Sequence, residues 1–346
     1  MPTTLTSLAE LARLPFDDII DVRSPAEFAE DHVPGAISLP VLSNEERAQV
    51  GTLYKQVDPF VARKVGAALV SRNAANHLEG PLADRKGAWR PLVYCWRGGQ
   101  RSGSFASILA QIGWRADTVK GGYKAFRALV VDALHDSPLP FRLIPIDGMT
   151  GTAKTALLHR IAAKGGQVID LEGAANHRGS LFGAMGEQPS QKMFEPRVAM
   201  AFAGFDLANP VFVESEAAKV GDLLVPPSVW KALSAAPRLY IEAAPAERAA
   251  YLAEAYADVT SDAVRLSETL DALVTYHGRE TIAAWQALAE AREFRSLAAV
   301  LMEHHYDPRY RKAEEHRAPV AASLQAQSLS PAGIDALAET ILNRFG

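Results

Sequence analysis

The chain is poor in cysteine: Cys95 is its one thiol in 346 residues. A single cysteine excludes an internal disulfide framework and any metal site built from several thiolates. It suits a reducing compartment, so a cytoplasmic location is expected. Long apolar runs are missing as well. No stretch combines the length and apolarity of a membrane span. Met1 to Glu10 has neither the basic start nor the apolar centre of an export signal, so none is expected and no membrane partner either. Charge of one sign is not in excess: 36 Lys and Arg against 40 Asp and Glu leave a net −4. That rules out a uniformly basic coat for nucleic acid but leaves room for a local patch. Between Arg85 and Arg127 stand nine basic residues against one acid, Asp117. The ordinary meaning of such a run is a solvated face. Its overlap with Cys95 points instead to an anionic substrate.

What is present around the thiol is Cys95-Trp96-Arg97-Gly98-Gly99-Gln100-Arg101-Ser102. The apolar run Pro91-Leu92-Val93-Tyr94 before it reads as a buried strand, and Ser104 to Ile112 after it has helical spacing. The thiol therefore sits in a strand-loop-helix turn. Gly98 and Gly99 let the backbone curl so that amides converge on an anion. The helix adds the positive end of its dipole, and Arg97 and Arg101 add charge. Such surroundings are expected to lower a thiol pKa and expose a nucleophilic thiolate. A buried structural cysteine is the plainer alternative.

At this length two domains are expected. In the first, Phe16 to Val22 reads as a strand, and Ser24-Pro25-Ala26-Glu27 as a capped helix start. Asp21-Val22-Arg23-Ser24-Pro25, Glu27-Phe28, His32-Val33-Pro34-Gly35-Ala36-Ile37, the cysteine loop and Lys120-Gly121-Gly122-Tyr123-Lys124 together resemble a rhodanese domain over roughly residues 5–135. Two features depart from that pattern. Five residues separate Cys95 from Arg101 where many single-domain rhodaneses place four, a spacing shared with cysteine-based phosphatases and roomy enough for a tetrahedral phosphoryl group. The connection from Leu39 to Leu92 is long, and it reads as a helical insertion over about 41–90.

His135 to Pro140 is rich in turn formers and reads as the linker. Beyond it an apolar strand, Phe141 to Ile146, runs into Gly148-Met149-Thr150-Gly151-Thr152-Ala153-Lys154-Thr155 and a helix-periodic segment. This is the context of a P-loop. Gly148, Thr150, Gly151 and Lys154 are candidates to cradle a diphosphate, with Thr155 placed to hold Mg²⁺. Ala153 stands where the pattern has its last glycine. Gln167–Leu171, Pro210–Glu214 and Arg238–Glu242 read as further strands of a parallel α/β sheet. Glu214 and Glu216 are candidates for the metal side of the P-loop, with a solvated strand end as the alternative. His177 and Arg178, in Asn176 to Gly183, and then Pro189 to Lys192, read as a substrate loop beside it. From Pro245 onward the pattern is helical, with Glu242 to Glu303 read as a solvated helical face. His304 to Tyr310 interrupts it, as weak metal ligands and as rings that stack on bases or pack.

Rhodanese-like and P-loop halves in one chain, with Tyr94-Cys95-Trp96-Arg97, His177-Arg178-Gly179-Ser180-Leu181-Phe182-Gly183 and Val213-Glu214-Ser215-Glu216, resemble the tRNA 2-selenouridine synthases. The resemblance implies a rhodanese-like α/β domain over 1–137. A P-loop parallel-sheet domain with a helical C-terminal region then follows over 138–346. It implies replacement of the wobble 2-thiouridine sulfur by selenium, through S-geranylation with geranyl diphosphate and then transfer from selenophosphate. Both are co-substrates, with no tightly bound cofactor expected. The tRNA anticodon arm is the expected partner, with Trp96, Lys120 and Lys124 as contact candidates. The readings from other classes are a cysteine-dependent sulfurtransferase or phosphatase, and a nucleotide-binding regulatory module.

Overall fold

In both halves, short apolar strands followed by helices leave the chain one economical solution, a parallel sheet with crossover helices. The computed structural model describes residues 2–346 apart from Ala12, Glu216, Glu315, His316 and the Ala313 side chain. It divides into two units, residues 1–138 with 189–204, and residues 139–188 with 205–346.

The first unit has strands β1 (Asp18–Asp21), β2 (Ile37–Ser38), β3 (Pro91–Tyr94) and β4 (Asp117–Thr118). They lie in the order β2-β1-β3-β4, all parallel, with Asp21 opposite Tyr94. All four residues of β3 are buried, as expected for an inner strand covered on both faces. Ile20, Val93, Phe105 and Leu109 centre the core, and burying each contributes about 1.5–3 kcal/mol.

The insertion is helical as expected, with helices Asn44–Gln56 and Pro59–Glu79. Ser43 and Glu46 form a reciprocal capping box on the first, and Asp58 accepts from the Phe60 and Val61 amides at the start of the second. Asn73 donates to Val41 O at 3.0 Å, and His77 Nε2 lies 2.9 Å from Pro40 O. Val70 and Ala74 enter the core, which docks the insertion on this unit.

The helix Gln191–Ala203 also packs in the first unit. Its Glu195 pairs with Arg127 and, at 3.2 Å, with His135. The expected domain range 138–346 therefore loses residues 189–204 to the first unit. The substrate loop expected over Pro189–Lys192 is instead a helix start, with Ser190 accepting from the Met193 amide at 3.0 Å. Lys192 pairs with Glu30.

The second unit has β5 (Leu143–Asp147), β6 (Gln167–Ile169), β7 (Val211–Glu214), a hairpin β8 (Lys219–Val220) and β9 (Leu223–Leu224), β10 (Arg238–Ala243) and β11 (Val320–Ala326). The parallel order is β11-β10-β5-β7-β6. Strand β11 corrects the helical reading of the C-terminal region. Val-Ala-Ala-Ser-Leu-Gln-Ala carries one β-branched residue and three alanines, so its propensity favours helix. Pairing along β10 prevails. Helix Pro331–Phe345 follows and sends Ile334, Ala338 and Ile341 into the sheet core beside Leu157 and Ile161.

The helices after β10 are not only a solvated face. Leu266, Leu270, Ile282, Trp285, Leu297 and Leu301 gather into a second core in this unit. His305 is buried at its edge, with His277 Nε2 and an Arg309 amine at 2.9 and 3.0 Å from its Nδ1. The arginine can only donate, so Nδ1 keeps its lone pair and the ring is neutral. Burial, then the Arg309 charge, then His277, hold the His305 pKa down at about 4. A histidine lowered in the folded state costs stability as pH falls through its unfolded value near 6.5, and the loss levels off near 4. Thermal unfolding of the second unit is therefore expected to weaken from pH 7 to pH 4.5. In His305→Asn that slope becomes shallower, as unfolding scans at several pH values would show.

Candidate functional site: two anion loops

Cys95 follows β3, an inner strand, at its C-terminal end, where a parallel sheet opens its crevice. The helix Gln100–Ile112 starts directly after the loop, with Gly99 left-handed at φ 75°. The Cys95 side chain is buried, and Ser102 Oγ donates to its Sγ at 3.4 Å. Among the described residues the amides of Arg97, Gly98 and Gly99 have no protein acceptor. The loop's carbonyls are turned away. Cys95 O accepts from the Tyr123 amide at 2.8 Å, and Trp96 O from the Lys124 amide at 3.0 Å. Gly122 makes that approach possible: a Cβ there would stand 2.3 Å from Cys95 O and 3.1 Å from Arg97 N.

The two loop arginines differ. Arg97 is exposed and makes no ion pair among the described residues. Arg101 is forked onto Glu27, at 2.8 and 3.3 Å, and Arg47 joins the same carboxylate at 3.0 Å. Burial opposes the Glu27 charge, but the Arg101 hydrogen bond and charge override it and hold the carboxyl at about 2. Arg101 is thus a partly neutralised cation fixed in direction. Behind the loop, the Asp-Val-Arg motif is a buried network. Arg23 is forked onto Asp21 and donates to Asp31 O at 2.5 Å. The Tyr123 hydroxyl donates to Asp31 Oδ2 at 2.6 Å. The Arg23 guanidinium lies 4.0 Å from the Tyr123 ring centre.

Trp96 is 47% exposed, its ring stacked on Tyr123 at 5.9 Å. Lys120 and Lys124 are exposed and make no ion pair among the described residues. Other cations of the basic run are committed, Arg85 to Asp18 and Arg127 to Glu195.

In the second unit the loop Gly148–Thr155 joins β5 to the helix Lys154–Ala163. Lys154 Nζ lies 2.8 Å from Gly148 O and 3.5 Å from Met149 O. Arg248 Nε donates to Thr150 O at 2.8 Å, and its other nitrogens grip Asp307 at 3.0 and 2.6 Å. Ala153 is left-handed at φ 58°, where an L-residue without glycine's freedom costs about 1–2 kcal/mol. Gly148 and Gly151 have positive φ with Ile241 O and the Leu252 side chain against them, 2.6 and 2.9 Å from where a Cβ would be.

Beneath the loop, Asp147 is fully buried and held by Arg238, by Arg317 at 2.8 Å and by the Tyr310 hydroxyl. Of the two readings of the Tyr310 ring, packing is what is seen: its hydroxyl serves this carboxylate and the Arg317 guanidinium lies 4.5 Å from its ring centre. Arg238, Arg248, Asp307, Tyr310 and Arg317 were not identified from the sequence. They lie tens to more than a hundred residues from the loop, and no local pattern marks an arginine that supports a distant carbonyl.

Glu214 is fully buried at the end of β7, where Oε2 accepts from the Leu171 amide at 3.1 Å, so it is not a solvated strand end. Glu216 lies outside the described residues. Thr155 Oγ1 donates to Glu172 Oε2 at 2.7 Å. These two side chains offer oxygens of the kind Mg²⁺ takes beside phosphate. Among the described residues no group of three His, Cys, Asp or Glu is arranged to hold a metal. His177 accepts from the Gly179 amide at 3.1 Å, and Arg178 pairs with Asp258 at 3.0 Å. His304 is exposed beside Glu303, and His305 is tied to His277 and Arg309.

The fold and loops define a rhodanese-like domain joined to a P-loop domain. The family model of the rhodanese-like domain matches residues 4–129, and that of the tRNA 2-selenouridine synthase AAA domain residues 141–279. The tRNA 2-selenouridine synthase of Cupriavidus pinatubonensis is 30% identical over 338 residues, covering 87% of this chain and 89% of that one. That of Aeromonas salmonicida is 35% identical, covering 72% and 67%. That of Nitrosomonas europaea is 36% identical, covering 69% of this chain and 63% of the relative, less than two thirds of its length. The chain belongs to the tRNA 2-selenouridine synthase family.

Gly122→Ala tests how the cysteine loop is held. The added methyl meets backbone at 2.3 Å and a left-handed φ of 59°, which is expected to cost at least about 1–2 kcal/mol. Melting of the first unit should fall and Cys95 should react faster with iodoacetamide, while diphosphate binding is unchanged. An unaltered melting point and thiol rate would show that the loop does not need this glycine.

Proposed function

We propose that the protein replaces the sulfur of wobble 2-thiouridine in tRNA with selenium, in two steps served by two loops. The observation that carries this reading is the pairing in one chain of a buried thiol under unpaired loop amides with a lysine-bearing diphosphate loop. In the first step the thiocarbonyl sulfur attacks C1 of geranyl diphosphate. The C1–O bond breaks, diphosphate leaves with the electron pair, and the N3 proton is released. Lys154 and the amides of Thr150 and Gly151 neutralise the departing charge. Alkylation converts a poor leaving group into a better one.

In the second step the selenium of selenophosphate bonds to C2, and the geranylthio group leaves as a thiol after taking a proton. Water then cleaves the Se–P bond, releasing phosphate and leaving C2=Se. The tetrahedral anion is assigned to the Cys95 loop, where amides, Arg97 and the helix dipole converge. Cys95 and Ser102 form the floor of that cradle. The anticodon arm is assigned to the face bearing Trp96, Lys120 and Lys124. A splayed base needs a ring to stack on, and Trp96 is exposed on its Tyr123 support.

The assignment of steps is separable. Cys95→Ser is expected to slow selenouridine formation by altering the cradle floor, while S-geranylated tRNA still forms. Lys154→Ala should slow geranylation by a factor on the order of 10²–10³, with tRNA supplied already geranylated bypassing the defect. Mass spectrometry of the wobble nucleoside reads both. Selenouridine formed at the native rate by the serine variant would remove Cys95 from the reaction. Failure of the bypass would move Lys154 to the second step.

Binding of a polyanion by a chain of net charge −4 has to come from local cations. Lys120→Glu with Lys124→Glu is expected to weaken tRNA binding and to flatten the plot of log affinity against log salt by about 1–2 units. A salt titration checks this, and parallel lines of equal affinity would place the tRNA elsewhere.

A further inference from the structure

The helical insertion carries a surface that neither loop uses. Its helices Asn44–Gln56 and Pro59–Glu79 are joined by a two-residue turn at Val57 and Asp58. Asn73 donates to Glu46 Oε2 at 2.7 Å, so the two run antiparallel. The inner face of the second helix is spent on packing, through Ala62, Val70 and Ala74. The far end of the pair is different. Tyr54, Val57 and Phe60 are 54%, 66% and 67% exposed. Lys55, Arg63 and Lys64 beside them are exposed and make no ion pair among the described residues. From Gly51 to Arg72 stand four basic residues against one acid, Asp58, whose carboxylate is engaged by the Phe60 and Val61 amides. Exposed rings among such cations match a single-stranded RNA, whose bases stack and whose phosphates need charge. A second copy of this face would bring the same cations against them.

Two further features tie this surface to the cysteine loop. Arg47, near the start of the first helix, holds Glu27, which in turn holds Arg101. Tyr54 stands seven residues on, hence on the same stripe of the helix and about 10 Å further along its axis. That is about three stacked nucleotides at roughly 3.4 Å each. Between them the stripe holds Gly51, which is exposed, with nothing within 4 Å of where a Cβ would stand. Gly66 on the second helix is explained by packing, since its Cβ would touch Val50 at 3.4 Å. No neighbour in the fold calls for Gly51, and a glycine weakens a helix interior relative to alanine. What it supplies is a gap where an outside backbone can come close.

We propose that this stripe is a second contact for the anticodon arm. Tyr54 and Phe60 take bases flanking the wobble nucleotide, Lys55 and Lys64 take phosphates, and Gly51 admits the strand close to the helix. The proposal rests on tRNA being the substrate, as read above, and adds a surface apart from Trp96, Lys120 and Lys124. In the full chain, Tyr54→Ala with Phe60→Ala is expected to weaken binding of substrate tRNA about tenfold or more. Lys55→Glu with Lys64→Glu should flatten the plot of log affinity against log salt by about 1–2 units. Gly51→Gln places a good helix former on the stripe, so it should melt no lower than wild type and still bind tRNA several-fold more weakly. That variant separates a lost contact from a damaged fold. Fluorescence anisotropy with labelled tRNA, beside thermal melting of each variant, reads the result. If wild type binds tRNA and all three variants bind it equally well, the surface is wrong and the reading of the two loops stands. If wild type itself binds no tRNA, both fail. Variants that keep tRNA affinity but lose self-association in sedimentation would make this face an interface between copies and overturn the proposal.

Discussion

A backbone loop can hold an anion only if its amides face inward and its carbonyls are turned out and occupied. A carbonyl left on the same side would repel the charge that the amides attract. Both loops here meet this constraint, with unrelated parts. In the first, the Tyr123 and Lys124 amides take Cys95 O and Trp96 O. In the second, Lys154 takes Gly148 O, Thr152 takes Met149 O, and Arg248 takes Thr150 O. The requirement explains why certain glycines are essential and others are not. Gly122 has to bring one backbone segment against another at a distance that excludes a Cβ, and Gly99 is needed for its left-handed φ of 75°, whereas Gly98 faces open space.

The same constraint accounts for the buried charges. A carboxylate ends the strand next to each loop system, Asp21 on β1 and Asp147 on β5, and both are fully buried. Such ions add little net stability, but removing one partner costs about 3–5 kcal/mol because the other is left uncompensated. They therefore fix geometry more than they stabilise. Around the P-loop the charges cancel: Arg238 and Arg317 face Asp147 and Glu314, and Arg248 faces Asp307. Among the described residues Lys154 is the cation in that group with no carboxylate against it, its ammonium held by the loop carbonyls of Gly148 and Met149.

The strand-loop-helix form of both glycine-rich loops was legible in the sequence because each is local: a strand, a few glycines, a cation and a helix within about fifteen residues. The inserted helices were legible too, since Ser43 with Glu46 and the stretch through Val70 carry their own signals. What was hidden depends on pairing at a distance. Strand β11 is alanine-rich and becomes a strand only because β10 offers an open edge. The helix after Ser190 reads locally as helix, but nothing local says which unit it joins. The supports of the P-loop come from Arg238 to Arg317, and no spacing rule links them to Gly148. Arg101 shows the limit in another way. Its position in the loop was plain, but its charge is shared with Glu27 from a different helix.

The helical region after β10 sets apolar side chains beside the anion loop. The amides and lysine of a P-loop recognise only phosphate, and nothing in them distinguishes one diphosphate from another. Selectivity has to come from what lies beside the loop. In nucleotide-binding proteins that is a surface with partners for base and ribose. Here the helices Pro245–Ala255 and Phe294–Leu301 supply Leu252, Leu297 and Leu301 to a cavity wall that also includes Thr150, Phe182 and Met302. That wall carries no charged side chain, so it lacks the partners a base and ribose need. Residues that look like a plain helical core in sequence thus pack against one another and also bound a cavity.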